Sequence, residues 1–416
     1  NEYYTPPKHE PRREVLLDIF NNVPLKIYDV NFNTINEIAK ESWTPKLHLT
    51  DEERDIVEAE GTVLVLGRSG TGKTICICNR IEYDRQTGSG QDPLFTQLFV
   101  ARSVRLCKYV EGAVGEDNRT SFTTYERLLN DIESTLPAGQ TKHFNPSQRM
   151  DFSRFRRDFH SQSSSKEKVS ALISWTVIRT FLKGSIEAFQ TSDGILPKDH
   201  FVEVERLGKN RCRLPSELRE VVYDEFLRYQ KYIEDQQLWD DCDRVRHILL
   251  RIKETREVDP DAYEQIQRSK VYVDEVQDYT QLEILLFFYL GGPNGLFLAG
   301  DPAQSVVEGT EFRFEEIRSC GHFVGSVLQK PKTVNVNFRS HSGILNCAGG
   351  VLDFMFTHFP GSAKQLTKDA GLFQGSRPGV LSGASINQLN ILLSDKLKGS
   401  VILTHDDSAR NWRRIH

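Results

Sequence analysis

No stretch of this 416-residue sequence approaches the roughly 20 consecutive apolar residues that a membrane-spanning helix needs. A secretory signal is missing too, since Asn1-Glu2-Tyr3-Tyr4 is polar and runs into Pro6-Pro7. The sequence also lacks an initiator Met, so the expectation is a fragment of something longer, with protein partners reached through flanking regions. There is no excess of positive charge: 53 Lys and Arg against 58 Asp and Glu give a net charge of −5. That balance excludes coating nucleic acid through bulk charge but leaves room for a local basic groove. The seven cysteines are scattered, and none makes a metal-ligand pair spacing, so no structural zinc site is supported. Reduced, buried thiols in the nucleus or cytoplasm are expected instead. Internal repeats of roughly 20 to 50 residues are absent as well.

What is present suits a soluble globular protein, with 38% hydrophobic and 27% charged residues and enough length for two or three domains. Leu47 to Val57 reads as a helix entered through Thr50, with Glu53 at the capping-box spacing. Thr62 to Leu66 is a continuous apolar run of the kind buried on both faces of a parallel sheet. Similar short runs recur at Leu98-Phe99-Val100, Val271-Tyr272-Val273 and Leu296 to Ala299. Strands separated by helices predict an α/β fold with a parallel sheet. Residues 140–265 change to helical periodicity, as in Leu172-Ile173-Trp175-Ile178-Phe181-Leu182 and Leu218-Val222-Phe226-Tyr229. The expected organisation is an N-terminal extension over 1–45, with a short helix near Val15 to Phe20, then a sheet domain over 46–139. A helical insertion follows over 140–265, and the sheet domain resumes over 266–330. An incomplete second sheet domain then spans 331–416, with strands at Thr333 to Val336 and Val401 to Leu403 and a helix from about Ser342.

Gly67-Arg68-Ser69-Gly70-Thr71-Gly72-Lys73-Thr74 fits the phosphate-loop pattern G-x-x-x-x-G-K-[ST]. Its glycines let backbone N–H groups face inward as an anion nest, and the following helix adds its N-terminal dipole. Lys73 would reach the β- and γ-phosphates of ATP, while the Thr74 hydroxyl would face Mg²⁺. The strand Lys270 to Val273 ends in Asp274-Glu275. Asp274 suits holding Mg²⁺, and Glu275 suits orienting and deprotonating an attacking water.

The run Asp274-Glu275-Val276-Gln277-Asp278 resembles the DExQD box of the UvrD/Rep branch of superfamily 1 helicases. Gly300-Asp301-Pro302-Ala303-Gln304-Ser305 is similar to that family's motif III, and Asn337-Phe338-Arg339-Ser340 to its motif IV. Phe99 to Ser103 and Thr124 to Leu128 sit where its motifs Ia and Ib belong. Within the branch, G-R-S-G-T-G-K-T with D-P-A-Q-S most resembles the helicase-like region of TPR and ankyrin repeat-containing proteins. The resemblance implies a RecA-like P-loop NTPase fold and an ATP-dependent helicase or translocase that acts on single-stranded DNA or RNA. It implies that Gln304 senses the γ-phosphate, that Arg339 reaches it from the second domain, and that Phe338 stacks on the base. Gln277 would couple the acidic box to motif III. By position, Arg102, Ser103, Thr124 and Tyr125 would touch nucleic acid.

The sequence departs from the family in places. Where the family has a Gln that reads adenine, Glu53 can accept a hydrogen bond but not donate one when ionised, or it serves only the capping box. Motifs V and VI lie beyond His416, so hydrolysis by this chain should be slow and unwinding absent. Arg149, Arg154, Arg156 and Arg157 interleave with Phe152, Phe155 and Phe159, which is either single-strand-binding chemistry or a charged helix docking its rings into a core. Lys166, Lys168 and Lys183 read as solvated. The main rival to a motor is a helicase-like regulatory module that binds ATP to change shape without productive unwinding.

Overall fold

The computed structural model describes residues 13–15, 27–29 and 49–379, apart from 89–91, 93, 116, 138–142, 163–168, 208–210, 305–312, 361–364 and 372–373. Near the N-terminus, β1 (Arg13–Val15) and β2 (Ile27–Asp29) pair antiparallel. Val15 therefore ends a strand, and the rest of the helix expected over 15–20 lies outside the described residues. Helix α1 (Asp51–Val57) starts as its sequence dictates. Thr50 accepts from the Glu53 N–H, and the Glu53 carboxylate accepts from the Thr50 N–H, at 3.2 and 2.8 Å.

A parallel sheet follows, built from β3 (Val63–Gly67), β4 (Gln97–Ala101), β5 (Thr120–Thr124), β6 (Lys270–Val273), β7 (Leu296–Gly300) and β8 (Lys332–Val334). Its order is β5-β4-β6-β7-β3-β8, and every neighbouring pair is parallel. The alternation of strand side chains divides the core in two. Val63, Val65, Phe99, Ala101, Tyr272, Phe297 and Ala299 face one side, where α2 (Lys73–Gly88) and α3 (Val104–Val114) supply Cys76, Ile77, Ile81, Val110 and Val114. Leu64, Leu66, Leu98, Val100, Val271, Val273, Leu296 and Leu298 face the other side. There they meet α4 (Tyr125–Thr135) and a long helix of the insertion. Burial on both faces is why these strands are apolar throughout rather than alternating.

The insertion is helical as expected, with its own core around Phe155, Trp175, Ile178, Phe181, Phe226 and Tyr229. Its main elements are α5 (Ala171–Val177), α6 (Ser216–Asp235) and α7 (Asp241–Val258). The arginine-phenylalanine segment takes the core alternative. Phe155 is fully buried in that core, Phe152 and Phe159 pack against the core through Trp175 and Phe155, and Arg149, Arg154 and Arg157 pair with Asp241, Asp158 and Asp158. Lys183 corrects the sequence reading. It is buried, with its ammonium 2.6 Å from both Asp240 and Asp243. The turn Ile178–Leu182 is π-helical and closes with Lys183 N–H donating to the Ile178 carbonyl, which carries the side chain inward. Burial opposes the Lys183 charge, but the two carboxylates outweigh it and hold its pKa above the ordinary lysine value. Lys166 and Lys168 lie outside the described residues.

Back in the sheet domain, α8 (Gln281–Gly291) packs beside α9 (Phe314–Phe323). The strand expected over 333–336 is in fact two. Lys332–Val334 closes the edge of the main sheet against β3, whereas β9 (Val336–Asn337) pairs parallel with β10 (Ala370–Gly371). Helix α10 (Ser342–His358) follows where it was expected. Val401 to Leu403 lies outside the described residues. Six cysteines are free and buried as read from sequence, but Cys347 on α10 is exposed.

Candidate functional site

The C-terminal edge of the sheet gathers the chemistry. β3 ends at Gly67, and the turn beyond it depends on Gly70 and Gly72, whose φ values of +86° and +92° disfavour any residue with a Cβ. A Cβ at Gly70 would lie 2.7 Å from Asn337 Oδ1, and one at Gly72 would lie 2.8 Å from Glu53 Oε1. Lys73, the first residue of α2, is buried and donates its ammonium to the carbonyls of Gly67 and Arg68 at 3.0 and 3.1 Å. Thr71 closes the loop by donating its hydroxyl to the Arg68 carbonyl at 2.8 Å.

Beside the loop, β6 delivers Asp274 and Glu275. The Thr74 hydroxyl donates to Asp274 Oδ2 at 2.7 Å, although 200 residues separate the two in sequence. Burial, reinforced by the neighbouring Glu275 charge, pushes the Asp274 carboxyl above the usual carboxylate range; the Thr74 hydroxyl and Lys73 offset only part of this. A hydroxyl and a buried carboxylate touching at the mouth of an anion nest form an oxygen donor pair that fits a hard divalent cation such as Mg²⁺. Glu275 adopts φ 53° and ψ 45°, a left-handed conformation shared among described non-glycine residues only with Gln237. Such a backbone costs on the order of 1 kcal/mol or more and concentrates at functional positions.

A family profile described as an AAA domain matches residues 53–310, which covers the loop, the acidic strand end and the helical insertion between them. The chain belongs to the AAA domain family. It is also similar to human TPR and ankyrin repeat-containing protein 1, with 34% identity over 297 residues, or 69% of this chain. The matched region spans only 9% of that relative's length. The parallel α/β sheet with its phosphate loop is thus a P-loop NTPase fold of the AAA type, a nucleotide-binding architecture.

Around the loop of this AAA domain, further residues converge. Gln277 donates its amide to Glu275 Oε2 at 2.6 Å and accepts the backbone N–H of Asp301 at 3.0 Å, joining the acidic box to the end of β7. Gln304 sits exposed beyond that end, with its backbone N–H donated to the Asp301 carbonyl at 3.2 Å. Ser305 lies outside the described residues. From the opposite side, Phe338 is buried and donates its N–H to the Gly70 carbonyl at 2.9 Å. Arg339 is exposed and donates Nη1 to the Ser69 hydroxyl at 3.0 Å. Two contributors escaped the sequence reading. Asp301 pairs with Arg68, and Asn337 donates its amide to the Ser69 carbonyl and to Asp369. Both stand inside the G-D-P-A-Q and N-F-R-S strings that were singled out, so the signal was present without a role attached.

The four residues expected to touch nucleic acid cluster at the ends of β4 and β5 but hold different posts. Arg102 donates to the Asp278 carbonyl and to Glu283, and its guanidinium lies over the rings of Tyr125 and Tyr279 at 5.1 and 4.4 Å. Burial opposes its charge, but Glu283 and the two tyrosines outweigh that and raise its pKa. Tyr125 corrects the expectation. It is 4% exposed, its ring packed edge-on against Tyr279 and Phe287 by the apolar face of α4, so no surface ligand can reach it. Ser103 and Thr124 cap α3 and α4 through their hydroxyls.

Proposed function

We propose that this AAA domain is the ATP-binding and ATP-hydrolysing part of a superfamily 1 motor of the UvrD/Rep type that works on single-stranded nucleic acid. The observation that carries the reading is the hydrogen-bonded line from Glu275 through Gln277 to the backbone of Asp301. It ties the residue suited to activating water to the turn that bears Gln304, as a machine relaying hydrolysis to a track requires.

The residues divide the work. The loop backbone from Gly67 to Thr74 would cradle the phosphates, with Lys73 meeting the β and γ groups. Thr74 and Asp274 would hold Mg²⁺, which supplies charge neutralisation at the phosphates. Glu275 would orient the attacking water and take its proton. Arg339, already at Ser69, would lie against charge that grows on the γ-phosphate, and Gln304 would sense that group. Phe338, buried with its ring beside Gly72, would stack on the base only once the 337–339 segment drew back from the loop. Of the residues near the expected track, Ser103 is exposed and Thr124 half-buried, so any strand contact would run through them, with Arg102 and Tyr125 as the support beneath. Among the described residues no helix is long and apolar enough to cross a membrane.

The rival reading, a module that binds ATP to change shape without unwinding, draws on Glu53. Its carboxylate completes the α1 capping box and is buried against Gly72, where the resemblance calls for a base-reading amide. ATP turnover with and without single-stranded DNA or RNA separates the two. Stimulation by one polymer, lost in Glu275→Gln, supports the motor; a flat rate despite tight ATP binding supports the switch. Within the site, Lys73→Ala is expected to abolish nucleotide binding and Glu275→Gln to keep binding while stopping hydrolysis. Equal loss of binding in both would refute this division of labour.

A further inference from the structure

One residue of the phosphate loop is held from three directions. The Ser69 N–H donates to Asp301 Oδ2 at 3.1 Å, its carbonyl accepts from Asn337 at 2.8 Å, and its hydroxyl accepts from Arg339 at 3.0 Å. Next to it, Arg68 donates Nη1 to Asp301 Oδ1 at 3.2 Å, and both side chains are buried. The two positions after Gly67 are free in the phosphate-loop pattern, so nothing about cradling phosphates demands an arginine there. A guanidinium withdrawn from water is unfavourable unless its partner is well placed, and Asp301 is that partner. Asp301 also accepts the Ala303 N–H at 2.9 Å and gives its own N–H to Gln277, which holds Glu275. The line from Arg68 to Glu275 is therefore unbroken, and the turn leading to Gln304 hangs from its middle.

We infer that Arg68 is a positioning residue for hydrolysis: through Asp301 and Gln277 it sets where Glu275 stands relative to the phosphate loop. The inference rests on the ATPase reading above. When the loop moves to enclose phosphates, Arg68 and the Ser69 N–H carry Asp301 with them, and Gln277 carries Glu275. Binding is the business of the loop backbone and Lys73, so loss of the Arg68 link acts on turnover and not on affinity.

The test compares the unaltered chain with Arg68→Ala, Asp301→Asn and the exchanged pair Arg68→Asp/Asp301→Arg. Three quantities are measured: affinity for a fluorescent ATP analogue with Mg²⁺, kcat for ATP, and hydrogen exchange over residues 275–278. Each single change is expected to lower kcat by roughly tenfold or more and leave affinity within about threefold. Exchange over 275–278 should speed up, and the exchanged pair should recover part of the lost rate. Folded variants with unchanged kcat overturn the inference, and so does a parallel loss of affinity and rate, which would make Arg68 a phosphate ligand. Should the unaltered chain bind nucleotide without turning it over, the ATPase reading fails and the link is judged on exchange alone. Faster exchange in Arg68→Ala then sustains it and unchanged exchange overturns it. If Arg68→Ala does not fold, Arg68→Lys, which keeps the charge and loses the fork, is measured in the same way.

Discussion

Asp274 is a carboxyl whose burial works against its own charge. Its pKa lies above the ordinary aspartate value because it is buried beside Glu275. Over the interval between the unfolded and the folded pKa, the folded chain therefore binds more protons than the unfolded one. Stability contributed by this group is present below the unfolded value and lost as pH rises through the folded one. Near neutral pH and without Mg²⁺ the ionised form weighs against folding. Asp274→Asn is expected to raise Tm there and to lose Mg²⁺-dependent nucleotide binding. The gain should shrink as pH falls towards about 4, the usual aspartate value. A melting curve series showing the same Tm for both proteins at every pH would rule this out. The sequence made Asp274 legible because an apolar strand ending in acids after a phosphate loop is a local pattern. The Arg68 to Asp301 pair was not legible, since 233 residues lie between them and only the β3–β7 pairing brings them together.

Among the elements, the strands buried on both faces were readable from their unbroken apolar runs, while the edge strand β5 was not and the edge strand β8 was read only as part of a longer strand. β5 reads Thr-Ser-Phe-Thr-Thr, with Thr120 its one buried residue, and β8 buries only Val334. An edge strand needs little apolar surface, so its composition resembles a loop. In the insertion, a π-turn defeats helical periodicity. One extra residue between Ile178 and Lys183 brings a lysine inward that a regular helix would have placed elsewhere. Lys183→Met should leave Asp240 buried, 1% exposed, beside Asp243 without its cation, and cost roughly 3–5 kcal/mol in denaturant unfolding. The double variant with Asp240→Asn should recover part of that loss. Nucleotide affinity of the folded fraction should not change, and a cost below about 1 kcal/mol would show that the cluster is better solvated than its burial indicates.

At the level of the whole molecule, nucleotide binding and folding are linked, because the site draws on β3, β6, β7 and the 337–339 segment and none of these holds together in the unfolded chain. Mg-ATP at about 100 times its Kd is expected to stabilise the fold by about 2.7 kcal/mol, seen as a rise in Tm. Chelating the metal or introducing Lys73→Ala should remove the rise. An equal rise with and without Mg²⁺ would detach the cation from the site described. The overall α/β plan was legible from sequence, as was the helical insertion, because both follow from the period of apolar residues.

The division of the expected strand at 333–336 has a mechanical meaning. Val334 belongs to the main sheet and Val336 to the second, with Asn335 alone between them, its carbonyl bonded to Ala370 N–H. Two residues further on, Asn337 and Phe338 grip the phosphate loop. A joint one residue long has no slack. Any swing of the second sheet would therefore pull on Ser69 and Gly70 through Asn337 and Phe338.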